Sequence, residues 1–122
     1  MAKTQANAVD EGDVHRTFVV YRCDAQNVEQ AVGHAALRWN GPDLELKRMF
    51  VHPDHRGSGV STALLQASEN AARDQGLRRL ILQTGDRQPD AVRLYEKSGY
   101  TRIPVFSPYE LLPFSNTFEK RL

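Results

Sequence analysis

The chain has 122 residues, which is enough for one domain with a hydrophobic core, and its 40% hydrophobic and 25% charged residues are ordinary for a globular protein. Its net charge of +1 excludes a bulk electrostatic field that would recruit nucleic acid or an anionic membrane. The single cysteine, Cys23, excludes an internal disulfide framework, and no apolar run is long enough for a membrane span or a signal peptide. We therefore expect a cytoplasmic domain without nucleic acid or membrane partners.

The first half of the chain predicts a short lead-in and three strands. Residues 1–15 show no periodicity, so we expect a flexible N-terminal lead-in before a single domain over residues 16–122. Residues 17–23 are rich in β-branched and aromatic side chains, residues 30–40 return as the second strand of a hairpin, and residues 44–51 form the third strand. The second strand is expected to supply three core side chains and one glycine at a bulge or close approach: Val32, Leu37, Trp39 and Gly33.

The second half predicts two helices that alternate with strands. One helix opens at about Ser58 and ends at Gly76, residues 79–84 form a strand covered on both faces, and a second helix runs from Pro89 to Gly99. The expected inward faces are Val60, Ala63, Leu64, Ala67, Ala71 and Ala72 on the first helix, and Val92, Leu94 and Tyr95 on the second. The remaining segments are two strands and the proline-rich loop between them, at residues 100–103, 116–122 and 104–115.

The predicted order of elements is β-β-β-α-β-α-β-β, with hairpins first and a strand–helix–strand crossover after them. A crossover of this kind joins parallel strands, whereas hairpins join antiparallel ones. We therefore expect an α/β fold of the α+β type. It contains a mixed, mostly antiparallel sheet of about six strands, with a central parallel pair and two packed helices.

A basic glycine turn lies between the third strand and the first helix. Residues 56–61 read RGSGVS, and backbone amides at the start of a helix have no partners within the helix, so this turn is suited to an anion such as a phosphate. The Lys-Ser/Thr pair of a P-loop is missing, and Thr62 stands where a dinucleotide fingerprint needs a third small residue. The alternative is a turn whose glycines only permit tight geometry.

Two segments together resemble the motifs of one enzyme family. Residues 49–61 (MFVHPDHRGSGVS) resemble the acyl-CoA-binding motif Gln/Arg-x-x-Gly-x-Gly/Ala of the GNAT superfamily of N-acetyltransferases. Arg56 and Gly59 fill the first two places, while Ser61 replaces the last one. Residues 91–100 (AVRLYEKSGY) resemble the family helix that reads Leu-Tyr-Glu-Lys-x-Gly-Phe/Tyr.

The resemblance implies that the third and fourth strands splay apart and that acetyl-CoA enters the gap as a cosubstrate, with no metal. Its pantetheine arm would bond the backbone of the third strand, and its pyrophosphate would bind the amides of the glycine turn. The residues implied for this binding are Met49, Phe50, Val51, Arg56, Gly57, Ser58, Gly59, Val60, Ser61 and Gln88, the last standing where the family commonly has asparagine. The histidines are not spaced for a metal site: His34, His52 and His55.

Two residues are candidates for the chemistry. Tyr95 matches the family tyrosine that in many members sits near the CoA sulfur, so it is the candidate proton donor to the thiolate; the alternative is a core tyrosine. Glu45 lies where some members carry the glutamate that deprotonates the amine, and it is the candidate base. The alternative for Glu45 is exposure to solvent or an ion pair with Lys47 or Arg48. The backbone amide near Phe50 is the candidate polariser of the thioester carbonyl.

The acceptor side is less complete than the cofactor side. The family usually begins with a strand and two helices that form one wall of the acceptor groove, and we expect this chain to lack them because residues 1–15 are too few. Either a second copy supplies the wall in a homodimer, or the chain is a shortened version, or it binds CoA without efficient catalysis. The 104–115 loop either borders the acceptor site, forms a dimer contact or covers the core.

The resemblance implies an N-acetyltransferase that moves the acetyl group of acetyl-CoA directly to an amine. A small-molecule amine is the favoured acceptor, and a protein amine is the other. The alternative function is a non-catalytic acyl-CoA-binding module of the same fold with a regulatory or scaffolding role. The sequence does not identify the acceptor.

Overall fold

The computed structural model describes residues 14–85, 89–113 and 115–122. Within these ranges there are six strands and two α-helices, in the predicted order: β1 (Val14–Cys23), β2 (Glu29–Asn40), β3 (Asp43–Val51), α1 (Val60–Asp74), β4 (Arg79–Gly85), α2 (Pro89–Lys97), β5 (Thr101–Arg102) and β6 (Ser115–Arg121). Val14 and His15 belong to β1, so this strand begins earlier than predicted. The rest of the predicted lead-in lies outside the described residues.

The strands form one sheet in the order β1-β2-β3-β4-β6-β5. All neighbouring pairs are antiparallel except β3 and β4, which are parallel and pair only through Glu45 with Ile81 and Leu46 with Leu82. The parallel pair is a consequence of the crossover through α1, because a connecting helix returns the chain to the same edge of the sheet. The predicted mixed sheet with a central parallel pair is confirmed.

One face of the sheet packs on the helices and forms the core. Side chains from β2, β3, β4 and β6 alternate toward α1, Tyr95 of α2 and Tyr100, and the largest members of this cluster are Leu37, Leu44, Leu64, Leu80, Leu82, Tyr100 and Phe118. Leu80, Ile81 and Leu82 are all buried, which confirms that β4 is covered on both faces. The second face is covered in part by the loop before β6, through Tyr109.

The inward face of α1 differs from the predicted apolar stripe. Ala63 is exposed, whereas Leu65, Ser68 and Glu69 are buried. The two polar side chains are buried because each has a partner: Ser68 Oγ donates to the Leu64 carbonyl at 2.8 Å, and Tyr100 Oη donates to Glu69 at 2.8 Å. An apolar pattern alone misses both positions, because the partner of Ser68 lies one turn earlier in α1 and the partner of Glu69 is Tyr100, outside the helix.

Two of the three core residues predicted in the second strand are confirmed. Val32 and Leu37 are buried, whereas Trp39 is 36% exposed near the end of β2. The Trp39 ring lies edge-on to that of His15, with centroids 5.5 Å apart. Its predicted place in the core is therefore wrong, because Trp39 stands at the end of β2 beside the β2–β3 turn.

Gly33 lies where β2 and α1 approach each other closely, as predicted. A Cβ atom at this position would stand 2.6 Å from Cγ1 of Val60 and 3.1 Å from the carbonyl oxygen of Phe50. The β1–β2 register also shifts beside Gly33, between Val20 and Tyr21. The absence of a side chain thus allows the first turn of α1 to rest on the sheet.

Replacing Gly33 by alanine is expected to destabilise the protein by about 1–3 kcal/mol, because the new methyl group overpacks a contact that includes backbone. Urea denaturation followed by circular dichroism measures this change. Gly85 is a matched control, since a Cβ there meets nothing within 4 Å and its φ is not in the left-handed region. Equal midpoints for the two alanine variants would contradict the close approach.

In the described part of the chain, neither helix combines the length and the apolar character that crossing a lipid bilayer requires.

Candidate active site

The site begins where β3 and β4 separate. Past Leu46 the two strands no longer pair, and Arg48 adopts a left-handed conformation with φ of 58°. The β2–β3 register shifts opposite this point, between His34 and Ala36, which marks a β-bulge. A bulge bends and twists the strand that carries it. The end of β3 therefore turns away from β4 and leaves a gap between two parallel strands.

This gap is a cleft of about 730 Å³. Drug-sized ligands and cofactors occupy cavities of roughly 300–1,000 Å³ in other proteins. The cleft extends from the bulge in β3, along the end of β4 and the inner side of α2, to the glycine turn. Its lining residues are Leu46, Lys47, Arg48, Met49, Val51, Arg56, Gly57, Ser61, Gln83, Thr84, Gly85, Asp90, Ala91, Leu94 and Tyr95.

The glycine turn closes one end of the cleft with backbone. Gly57 and Gly59 have φ of 72° and 92°, a conformation that only glycine adopts at little cost. Gly59 is the N-cap of α1 and contributes no side-chain oxygen, and the first amide to bond back is that of Ala63, to Gly59 at 3.0 Å. The N–H groups of the first turn of α1 are thus available to an anion.

Arg22 of β1 fixes this turn from outside the cleft. Its Nη1 donates to Ser58 Oγ at 2.9 Å and its Nη2 donates to the Ser58 carbonyl at 2.6 Å, while Ser58 Oγ also donates to the His55 carbonyl. The sequence did not indicate this contact. No local pattern could have shown it, because it depends on how β1 and the turn are placed in three dimensions.

Tyr95 of α2 is the phenol of the cleft. It lines the cleft and is 8% exposed, with its ring edge-on to Tyr100 at 5.8 Å. Among the described residues no side chain or backbone group hydrogen-bonds its hydroxyl. Burial raises the pKa of Tyr95 to about 12, so the phenol keeps its proton throughout the neutral range. Tyr95 therefore presents to the cleft a protonated hydroxyl that no described residue binds.

Glu45 is fully buried on the face of the sheet opposite the helices, and it does not line the cleft. Tyr109 Oη donates to its Oε2 at 2.6 Å, while Asn40 Nδ2 and Arg38 Nε donate to its Oε1 at 3.1 and 3.3 Å. Lys47 Nζ lies 3.7 Å from Oε2 and donates to Tyr109 Oη. Glu45 is thus paired with Lys47, as one alternative predicted, and its role as a base stays a prediction.

The structure brings together some of the predicted site residues and leaves others apart. Met49, Val51, Arg56, Gly57, Ser61 and Tyr95 line the cleft. Glu45, Phe50, Ser58, Gly59 and Val60 do not line it: Phe50 stacks on His34 with 46% of its surface exposed, and Val60 lies in the core. Gln88 lies outside the described residues.

The largest group of lining residues that sequence reasoning missed comes from β4 and the start of α2: Gln83, Thr84, Gly85, Asp90, Ala91 and Leu94. One signal could have found the first three. Ligands bind at the carboxyl ends of adjacent parallel strands, and β4 was predicted as the parallel partner of β3. Lys47 and Arg48 were considered only as partners for Glu45, although both also line the cleft.

Comparison with known proteins places the chain in a family. The profile of the Acetyltransferase (GNAT) family matches residues 2–100. The chain belongs to the GNAT acetyltransferase family. A GNAT relative named IAA acetyltransferase, from Azospirillum brasilense, is 40% identical over 90 residues, which cover 74% of this chain and 59% of that protein. The chain thus spans less than two thirds of the length of this relative.

Solved structures share the GNAT fold seen here. A Klebsiella pneumoniae protein described as an acyl-CoA N-acyltransferase superimposes with a TM-score of 0.74 at 34% identity, covering 87% of this chain and 72% of that one. The PaiA N-acetyltransferase of Thermoplasma acidophilum, crystallised with coenzyme A, superimposes with a TM-score of 0.65 at 17% identity, covering 76% of this chain and 55% of that one. The second likeness shows the fold alone.

Raising the pH above 10 is expected to destabilise the fold. The pKa values of Tyr95, Tyr100 and Tyr109 are all raised above 10, in each case chiefly by burial, so the native state holds protons that the unfolded chain releases. The stability contributed by these phenols is complete below pH 10 and is lost as the pH rises toward the folded pKa values, by about 1.4 kcal/mol per pH unit for each tyrosine. Lys47 has the opposite effect, because burial lowers its pKa from 10.5 and the unfolded chain therefore binds the proton more tightly. This opposite effect on stability ends once the pH exceeds 10.5.

Urea unfolding at pH 9, 10 and 11, followed by circular dichroism, measures this loss. The free energy of unfolding should be lower at pH 11 than at pH 9, and the difference should shrink in Tyr95→Phe. An unchanged free energy between pH 9 and 11 would show that these hydroxyls titrate alike in both states.

Proposed function

We propose that this protein transfers the acetyl group of acetyl-CoA directly to an amine of a small molecule. The observation that carries the proposal is one cleft with three features along its length. The separated ends of β3 and β4 receive an extended arm, the glycine turn offers unpaired amides, and Tyr95 offers a protonated hydroxyl. Acetyl-CoA carries its thioester at one end of the pantetheine arm and its pyrophosphate at the other, so each of the three features has a counterpart in the cosubstrate.

The residues present fit coenzyme A. The backbone of Met49 and Val51 lies at the open edge of β3, where an extended pantetheine arm would add as a strand. An added Cβ at Gly57 would meet nothing within 4 Å, so the backbone of the turn is open to a pyrophosphate. Arg56 adds a positive charge at the same place, and Ser61, the small residue that replaces the last Gly/Ala of the family motif, also lines the cleft.

The chemistry that the cleft must support is direct acyl transfer. When bound, acetyl-CoA supplies a thioester, whose carbonyl carbon forms a C–N bond with a neutral amine while its C–S bond breaks. Tyr95 would hold its hydroxyl proton at the departing sulfur, because its pKa of about 12 keeps it protonated. The amine nitrogen loses a proton in the same reaction. That proton balances the one that the thiolate takes up.

Calorimetry with coenzyme A tests the cofactor half of the proposal. We expect binding at sub-millimolar concentration, and we expect Gly57→Ala to weaken it because a methyl group would stand where the pyrophosphate approaches the backbone. Gly41→Ala is the matched control, since Gly41 also has a left-handed φ, 60°, and open space but lies in the β2–β3 turn. Equal affinities for the two variants would contradict the placement, and the absence of binding would contradict the proposal itself.

A thiol-release assay over a panel of amines tests the catalytic half. Release of coenzyme A that depends on the amine supports the N-acetyltransferase. Tight binding of coenzyme A without amine-dependent release supports the non-catalytic module instead.

We also propose that a second copy of the chain completes the acceptor side. The support is exposed apolar surface at Phe50 on β3 and at Leu111 and Leu112 in the loop before β6. Sedimentation equilibrium decides between this homodimer and a monomer.

A further inference from the structure

The inference concerns Arg48, the residue at the bulge where the cleft opens. Among the described residues only Asn27 and Arg48 have a left-handed φ without being glycine. Asparagine tolerates this conformation through local hydrogen bonds, whereas arginine gains nothing from it. Backbone strain of this kind clusters at functional sites, and here it lies where the cleft opens.

The Arg48 side chain borders the cleft without a partner. Within the part of the chain that the structure describes, no carboxylate or carbonyl pairs with its guanidinium. It also interacts with another cation: the pKa of Lys47 is lowered, chiefly by burial, with the charge of Arg48 as a further cause. Lys47 is itself engaged with Glu45 and Tyr109, so the charge of Arg48 is the one left unbalanced.

The charged residues that line the cleft also support a function for the Arg48 side chain. Among the described residues, the lining of the cleft contains Lys47, Arg48 and Arg56 but only one acid, Asp90, and Asp90 is paired with Arg93. Arg56 belongs to the glycine turn, where the phosphates of coenzyme A would account for it. Arg48 lies before the open end of β3, beside the stretch where an uncharged pantetheine arm and the acetyl group would lie. Neither of these would neutralise its charge.

We propose that the acceptor amine carries a carboxylate and that Arg48 binds this carboxylate. The proposal rests on the proposed acetyl transfer and identifies the class of amine that the same cleft accepts. A guanidinium and a carboxylate form two parallel charge-assisted hydrogen bonds, which fix orientation as well as position. The amine of such an acceptor is thereby directed at the thioester, while an amine without the carboxylate loses this contact.

The test compares matched acceptors in the thiol-release assay. One pair is 6-aminohexanoate with hexylamine, and the other is L-leucine with L-leucinamide, each compared at equal concentration of the neutral amine. In the pair whose carboxylate acceptor reacts faster, we expect kcat/KM for that acceptor to exceed kcat/KM for the matched amine without a carboxylate by about tenfold or more. The difference should arise mainly in KM. Arg48→Asn should reduce this ratio to within about twofold, and Arg48→Lys should restore part of it.

Two controls separate specificity from folding. Arg48→Asn should melt no lower than the wild type, since asparagine suits the left-handed conformation. Arg78→Gln, which removes an exposed arginine outside the cleft, should leave the ratio of kcat/KM values unchanged. A wild-type ratio near one, or a ratio that Arg48→Asn leaves unchanged, would overturn the role of Arg48 and leave the N-acetyltransferase standing.

A binding measurement keeps the inference testable without turnover. The complex with coenzyme A is titrated calorimetrically with N-acetyl-L-leucine and with its amide. Tighter binding of the acid to the wild type than to Arg48→Asn supports the carboxylate site, and equal binding of acid and amide overturns it. Failure of every amine to release thiol, by contrast, would overturn the proposed acetyl transfer.

Discussion

Tyr95→Phe is expected to lower kcat by about 10²-fold in the thiol-release assay while the Kd for coenzyme A stays within about twofold. Removing one preorganised hydrogen-bond donor to a developing negative charge typically costs about 10²–10³-fold in kcat. Tyr95 lines the cleft and its hydroxyl has no partner among the described residues, so the substitution removes a donor without breaking a contact inside the protein. The melting temperature should therefore stay close to that of the wild type, since no hydrogen bond within the described residues is lost.

The raised pKa of Tyr95 restricts what the hydroxyl does. Complete transfer of a proton from a phenol of pKa about 12 to a thiolate of pKa near 8.5 is unfavourable by about 5 kcal/mol. Tyr95 is therefore expected to donate a hydrogen bond that stabilises the departing thiolate. The proton that the thiolate finally keeps comes from the amine. Because its pKa is about 12, the rate should show no alkaline limb from Tyr95 below about pH 11.

Tyr100→Phe is the matched control for removing a buried phenol hydroxyl. Tyr100 donates to Glu69 and lies outside the cleft, so its replacement should lower the stability and leave kcat unchanged below the melting temperature. An equal fall of kcat in both variants would point to a general effect on the core. No fall in Tyr95→Phe would remove the tyrosine from the chemistry.

The fold could be predicted from the sequence because its signals are local. The apolar run Leu80–Leu82 predicted a strand covered on both faces, and Gly76 predicted the end of α1, where its amide bonds the Arg73 carbonyl at 2.8 Å. Gly33 predicted a close approach, and the structure shows what approaches it. Errors in the core arose at Trp39 and Ala63, where the helix position decides burial and the strand or helix period alone does not.

The site was harder to predict because its contacts join distant residues. The sequence indicated the glycine turn, the third strand and Tyr95, since each belongs to a continuous motif. It did not indicate that Arg22 holds Ser58, 36 residues away, or that Tyr109 covers Glu45, 64 residues away. The left-handed conformation of Arg48 was also invisible, because nothing in the residues 46–50 distinguishes a bulge from a regular strand.

Glu45→Ala is expected to lower the free energy of unfolding by about 3–5 kcal/mol, which is the usual cost of breaking a buried ion pair by removing one partner. The carboxylate is completely buried and accepts from Tyr109, Asn40 and Arg38, so its removal takes an acceptor away from three donors. Urea denaturation measures the loss. Glu110→Ala is the control, because Glu110 is exposed and its loss should change the midpoint much less than Glu45→Ala does.

The contacts of Glu45 also indicate whether it acts as a general base or only stabilises the fold. A general base must come within about 3 Å of the proton it takes, directly or through one water, and both oxygens of Glu45 are already occupied outside the cleft. We therefore expect Glu45→Gln, assayed where it is folded, to keep kcat/KM within about tenfold of the wild type. Tyr109→Phe should share the stability loss, with a combined loss in Glu45→Ala/Tyr109→Phe smaller than the sum of the two, because both remove one hydrogen bond. A fall of more than 10²-fold in the folded Glu45→Gln variant would instead establish the carboxylate as the base, reached by a movement of the loop that carries Tyr109.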